Sequence, residues 1–180
     1  MSPALLAVIL GVPLALLAWY VRARGDGSER EDESELGEGT AAAAADELAD
    51  SLGWPYFFGG GSPATPWSEG SEGVDCAGYA QIALVHLGLL SSSAPDRGAA
   101  SLADDSDPID VGDQEPGDLA YYPGHVMVVI SYPGSNGHSK VMGASGGTAT
   151  TFGDDPGAYV KAFDSALYRG DFVTYMRLRS

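Results

Sequence analysis

An α+β domain is the fold class that the sequence predicts, and three observations predict it. Residues 76–87 are mostly apolar or small, follow a natural N-cap at Asp75 and stop at Gly88, which reads as a helix. Leu119–Tyr122 and His125–Ser131 are strand-like runs separated by Pro123-Gly124, and Lys140–Ser145, Tyr159–Phe163 and Phe172–Leu178 supply further strands. The turn sequence Pro133-Gly134-Ser135-Asn136-Gly137 joins two of these runs as a hairpin, so a small antiparallel sheet with the helix packed on it is expected.

The chain has 180 residues, 44% of them hydrophobic, which suits one compact core. Its formal charge is −16 and unevenly spread: residues 22–40 hold seven acids against three arginines, and residues 41–180 hold 18 acids against six basic residues. No basic stripe exists, so nucleic acid is not an expected partner. Cys76 is the sole cysteine, which rules out an intramolecular disulfide and a multi-cysteine zinc site and leaves the redox compartment open. No internal repeat is evident.

Taken in order, residues 3–21 carry no charge, and 19 helical residues span roughly 28 Å, close to the hydrocarbon thickness of a bilayer. Trp19 and Tyr20 suit the interface, with Arg22 and Arg24 beyond it. A cleaved signal peptide fits less well, because no Lys or Arg precedes the apolar run. Residues 1–24 are therefore read as a single-pass membrane anchor. Residues 25–40 are acidic and rich in Gly and Ser, a flexible linker, and residues 41–180 form the folded domain. Within it, 41–52 reads as an alanine-rich helix closed by Gly53, and 59–73 as a loop near the aromatic residues Trp54, Phe57 and Trp67. Residues 91–114 read as a long polar connection. Its aspartates, Asp104, Asp105, Asp107, Asp110 and Asp113, lack the glycine-and-glutamate frame of an EF-hand and are read as a solvated acidic loop.

Chemistry concentrates at Cys76 and His125. A thiol on the first turn of a helix sees unpaired N–H groups and the positive end of the dipole, which favour thiolate. His125 opens a strand at a glycine-flanked end. An imidazole there can accept a thiol proton and later protonate a leaving amine. The three histidines and one cysteine are too scattered for a catalytic zinc site, and no cofactor is expected.

Three blocks give the chain a family likeness: Gly53-Trp-Pro-Tyr56-Phe-Phe-Gly59-Gly60, then Val74-Asp75-Cys76-Ala77-Gly78-Tyr79, then Pro116-Gly117-Asp118-Leu119 with His125-Val126. In that order and spacing they resemble the NlpC/p60 family of papain-like cysteine peptidases, over most of residues 41–145. The resemblance implies a papain-like α+β fold and hydrolysis of peptidoglycan stem peptides through an acyl-enzyme thioester. In these terms Cys76 is the nucleophile and His125 the base and acid. Tyr56 and Asp75 are the substrate-binding residues, with Asp75 also capping the helix and the Cys76 N–H a candidate oxyanion donor.

Family members place a third polar residue on the next strand. A hairpin centred near Gly134-Ser135 sets His125 level with Gly143 or Ala144, so that position falls on Gly143, which has no side chain, and Ser145 becomes the nearest orienting group. His138 sits at the turn, about 23 Å from Ser145 along a strand, and His86 is about three turns from Cys76, so neither serves the pair. A peptidoglycan substrate sets the domain on the cell-wall side of the membrane, whereas Arg22 and Arg24 argue for the opposite topology. The rival readings are a CHAP-type amidase or acyltransferase, and an inactive papain-like module with a wall-binding or structural role in a phage or lysis system.

Overall fold

The computed structural model describes residues 43–179. The membrane anchor read in residues 3–21 and the linker at 25–40 lie outside the described residues. Among the described residues no helix is long and apolar enough to cross a membrane.

A short helix, α1 (residues 43–48), runs into a 3-10 turn at Ala49–Ser51 and ends at Gly53, whose φ of 87° suits glycine. Helix α2 is Cys76–His86. One Asp75 carboxylate oxygen accepts the Gly78 N–H at 2.8 Å and the other accepts the Gly59 N–H at 2.9 Å, so a single side chain caps the helix and ties down the glycine loop before it. Gly78 lies under that loop: a Cβ at this position would collide with the carbonyl oxygen of Gly60. Small size at Gly78 is therefore a packing requirement of the cysteine block.

Residues 91–114 are more structured than their polarity suggests. They include helix α3 (Ala99–Asp104) and strand β1 (Ser106–Ile109). Burial of Leu102 fixes α3, and Gln81 of α2 reaches the same segment, bonding the Arg97 N–H and C=O and the Asp96 carboxylate. Strands β2 (Leu119–Tyr122), β3 (His125–Val129), β4 (Val141–Ser145), β5 (Tyr159–Phe163) and β6 (Thr174–Leu178) complete a six-stranded antiparallel sheet in the order β1-β6-β2-β3-β4-β5.

Helix α2 packs on β3 and β4. Alternation along β3 sends Val126 and Val128 to the core under α2, beside Ile82, Met142 and Val160. Met127 and Val129 face a second cluster with Tyr122, Ala166 and Tyr175. Both faces of β3 are thus covered, which explains a continuous apolar run where a half-exposed strand would alternate.

The Pro116-Gly117-Asp118-Leu119 block is a turn held by its aspartate. Asp118 accepts the Glu115 N–H at 2.6 Å and takes Arg177 of β6 in a two-pronged pair at 2.7 and 2.8 Å. The turn fixes where β2 starts and hence where β3 returns with His125.

The β3–β4 register differs from the expected one. Val128 pairs with Met142 and Val129 with Val141, and continuing that count sets Ser145 level with His125 and Gly143 level with Met127. The displacement follows from the loop, in which the Gly134 N–H bonds the His138 carbonyl at 2.9 Å and the Gly137 N–H bonds the Gly134 carbonyl at 2.9 Å.

Candidate active site

Cys76 is buried, at 8% exposure, on the first turn of α2. Its sulfur lies near enough to the backbone N–H groups of Val126, Ala77 and Cys76 itself to feel them, so the thiol lies against the start of β3, at the residue next to His125. Burial raises the Cys76 pKa above the ordinary thiol value, the Asp75 carboxylate adds to the rise, and the three N–H groups oppose it without prevailing. This corrects the expectation of a resting thiolate. A helix N-terminus stabilises the anion, but here desolvation and the capping carboxylate outweigh it, and the resting group is a neutral thiol.

His125 is also buried, at 7% exposure. Burial, and then the Arg169 guanidinium, lower its pKa to about 4, with Asp171 pulling weakly the other way. Thiol and imidazole are therefore both neutral near pH 7. No hydrogen bond joins the two side chains, and catalytic hydrogen bonds often tighten only once substrate is bound. The ring nitrogen Nε2 of His125 lies 2.9 Å from the hydroxyl of Tyr168, which leaves Nδ1 as the ring nitrogen not engaged by Tyr168.

Ser145 was expected to orient the imidazole. Instead, the Tyr168 hydroxyl occupies Nε2, and Ser145 bears on the Tyr168 hydroxyl. The physical reason is that the 3-10 turn Ala166–Tyr168 lies over this face of the sheet and brings a longer side chain in from outside the hairpin. Gly143 is filled from the other direction, since a Cβ there would stand 2.6 Å from Met127 Sδ.

Tyr56 is buried, and its hydroxyl pKa is pushed up to about 12 by desolvation and then by Cys76 and Asp75. It therefore stands close enough to both to feel their charge. Gly147 lies flat on its ring, where a Cβ would collide. Of the neighbouring aromatic residues, Trp54 is core, packed on Trp67 and edge-on to Tyr79, whereas Phe57 is exposed and meets Phe152 edge-on. His86 stacks on Trp67 at 4.0 Å and His138 bonds the Tyr175 hydroxyl at 3.2 Å, so both histidines have packing duties of their own.

Sequence reasoning missed Tyr168, Arg169 and Asp171. They fall between two strand runs in a stretch with no catalytic spacing. The one cue was Ser165, which caps the turn by accepting the Leu167 N–H at 3.2 Å.

No family model matches the chain, and no curated protein matches it. Solved structures do. The P60 domain of an antigen from M. avium subspecies paratuberculosis superposes with a TM-score of 0.51 at 21% identity, over 78% of this chain and 95% of that one. A protein from Staphylococcus aureus described as similar to lipoprotein, NLP/P60 family, superposes with a TM-score of 0.50 at 22% identity, over 91% of this chain and 47% of that one. The chain has the NlpC/P60 fold.

Proposed function

We propose that this chain is a cysteine peptidase that hydrolyses an amide bond in peptidoglycan stem peptides. One observation carries the reading: the sole cysteine sits at the N-terminus of α2 with its sulfur near the Val126 N–H, one residue from a buried histidine whose Nε2 is taken by Tyr168. The NlpC/P60 fold supports the substrate class.

Because both groups rest neutral, the proton moves as the sulfur attacks. Nδ1 of His125 takes the thiol proton while the sulfur bonds to the carbonyl carbon, and the Cys76 N–H faces the oxygen that becomes negative. The imidazolium then gives the proton to the amine as the C–N bond breaks, leaving a thioester. Water, deprotonated by the same imidazole, adds to the thioester carbonyl, and the thiol leaves with its proton restored. Tyr56 and Asp75, which both bear on the sulfur electrostatically, are the substrate contacts in this reading. Asp75 already spends one bond per oxygen on backbone N–H groups, so it can offer only its remaining lone pairs.

The test is incubation of the full chain with purified cell wall and identification of released fragments by mass spectrometry. New amino and carboxyl termini on stem peptides support hydrolysis. Acyl groups moved to an added amine indicate a transferase. Sedimentation with the wall without cleavage indicates a binding module. Membrane attachment through residues 3–21 rests on the sequence alone; pelleting with membranes and resistance to carbonate extraction would support it.

A further inference from the structure

We infer that Tyr168 is the positioning residue of this site, and that its hydroxyl takes the place of the third polar side chain by accepting a hydrogen bond from Nε2–H of His125. The inference rests on the proposed Cys76–His125 chemistry. It departs from the pattern in which that group comes from the adjacent strand, because β4 offers Gly143 under Met127 and a serine that reaches only the tyrosine.

Geometry places the phenol firmly. The Phe163 ring stacks on Tyr168 at 3.8 Å and 15°, and Tyr122 meets it edge-on at 5.6 Å. The turn that carries it is tied at Ala166, whose N–H bonds the Ser139 carbonyl at 3.0 Å and whose carbonyl accepts the Tyr122 hydroxyl at 2.7 Å. Tyr168 is thus held by covalent neighbours and by ring packing, and its hydroxyl has little freedom to leave Nε2.

The polar groups around the phenol are compatible with that direction. The other polar groups beside the Tyr168 oxygen are Arg169, which can only donate, and the Ser145 hydroxyl, which is able to accept the phenol's proton. That leaves an oxygen lone pair for Nε2–H. Holding the proton on Nε2 keeps Nδ1 unprotonated and able to act as a base toward Cys76. When Nδ1 takes the thiol proton, the imidazolium keeps its Nε2–H···O bond, and no proton leaves the tyrosine. The charged groups around the ring are Arg169 and Asp171, which pair with each other at 2.7 and 2.9 Å, with the Tyr122 ring at 5.5 Å on the β2 side. A neutral oxygen beside an arginine supports the imidazolium less than a carboxylate would, in keeping with a pair that rests uncharged.

Nitrogen-15 NMR of the full chain reads the tautomer without any substrate, and three histidines make assignment by single substitution practical. The expected result is an Nε2-protonated His125 in the native chain and loss of that preference in Tyr168→Phe, which keeps the ring and its stacking. On wall substrate, Tyr168→Phe is expected to lower kcat about 10- to 100-fold with little change in KM, the size of one hydrogen bond to a charged group. Iodoacetamide alkylation of the sole thiol should slow in the same variant. An Nδ1-protonated His125 in the native chain overturns the inference. So does a Tyr168→Phe variant with native melting temperature, tautomer and alkylation rate. A native chain that cleaves no wall defeats the proposed function instead, and the NMR result still decides the role of Tyr168.

Discussion

Gly143 and Met127 share one site on opposite strands: the space a side chain at 143 would need is taken by the Met127 thioether, with Sδ 2.6 Å from where the Cβ would stand. Met127 is fully buried, so the sulfur has nowhere exposed to go. Installing a family-like imidazole by Gly143→His is therefore expected to overpack this face, at about 1–3 kcal/mol. Chemical denaturation should show the loss, and Gly143→His combined with Met127→Ala should recover part of it. A single Gly143→His variant as stable as the native chain would mean that Met127 moves aside freely.

Cys76 is expected to behave as a neutral thiol. Its alkylation rate should climb with pH beyond the range of an ordinary thiol, with no plateau of reactive thiolate at neutral pH. A plateau reaching below pH 6 would show a preformed ion pair with His125 and contradict the direction of both shifts. Cys76→Ser should leave the fold intact and abolish cleavage, because a hydroxyl lacks the sulfur's nucleophilicity at the same volume. Wall cleavage retained by that variant would remove Cys76 from the mechanism.

What was legible in the sequence follows the reach of the interactions concerned. The helix at Cys76 could be read because its cap, Asp75, and its close-packed glycine, Gly78, act within a turn of the thiol. Strands β2 to β6 could be read because burial on one or two faces leaves an apolar signature in the chain itself. Strand β1 could not, since Ser106–Ile109 is polar and is held at the edge by pairing with β6, 72 residues away at the Ser106–Leu178 pair. The register of β3 on β4 depended on the turn geometry, and a shift of one or two positions moved the expected partner of His125 from Gly143 to Ser145. Tyr168 was beyond reach altogether, because it meets His125 across 43 residues and through a 3-10 turn whose position is set by tertiary contacts. The thiol's state was misjudged for a related reason: dipole effects are visible in sequence, whereas desolvation is not.

Asp118 is expected to matter for stability and not directly for chemistry. It is 4% exposed at its side chain and satisfies both the Glu115 N–H and Arg177. Asp118→Asn keeps the volume but removes the charge that the half-exposed guanidinium faces, so a loss of about 1–3 kcal/mol is expected. Residual activity per folded molecule should stay near native. A large fall in kcat at unchanged stability would place Asp118 nearer the reaction than this geometry does.

His125 makes stability depend on pH in a direction that can be worked out. Unfolded, its pKa is about 6.5; folded, burial and Arg169 bring it to about 4. Between these values the unfolded chain binds a proton that the folded chain refuses, so unfolding becomes easier as pH falls. The contribution is absent as a penalty above about pH 6.5, grows as pH drops through the window, and is complete below about pH 4. Its full size is at most about 3 kcal/mol, from a shift of that extent. Many carboxylates also titrate there, and a variant isolates the histidine. In His125→Asn the other groups remain, so the difference in unfolding free energy between native chain and variant should change by up to about 3 kcal/mol between pH 7 and pH 4, with the native chain losing ground. Urea denaturation across that range measures it. Parallel curves would mean that the imidazole protonates in place, and would restore the charged pair that burial argues against.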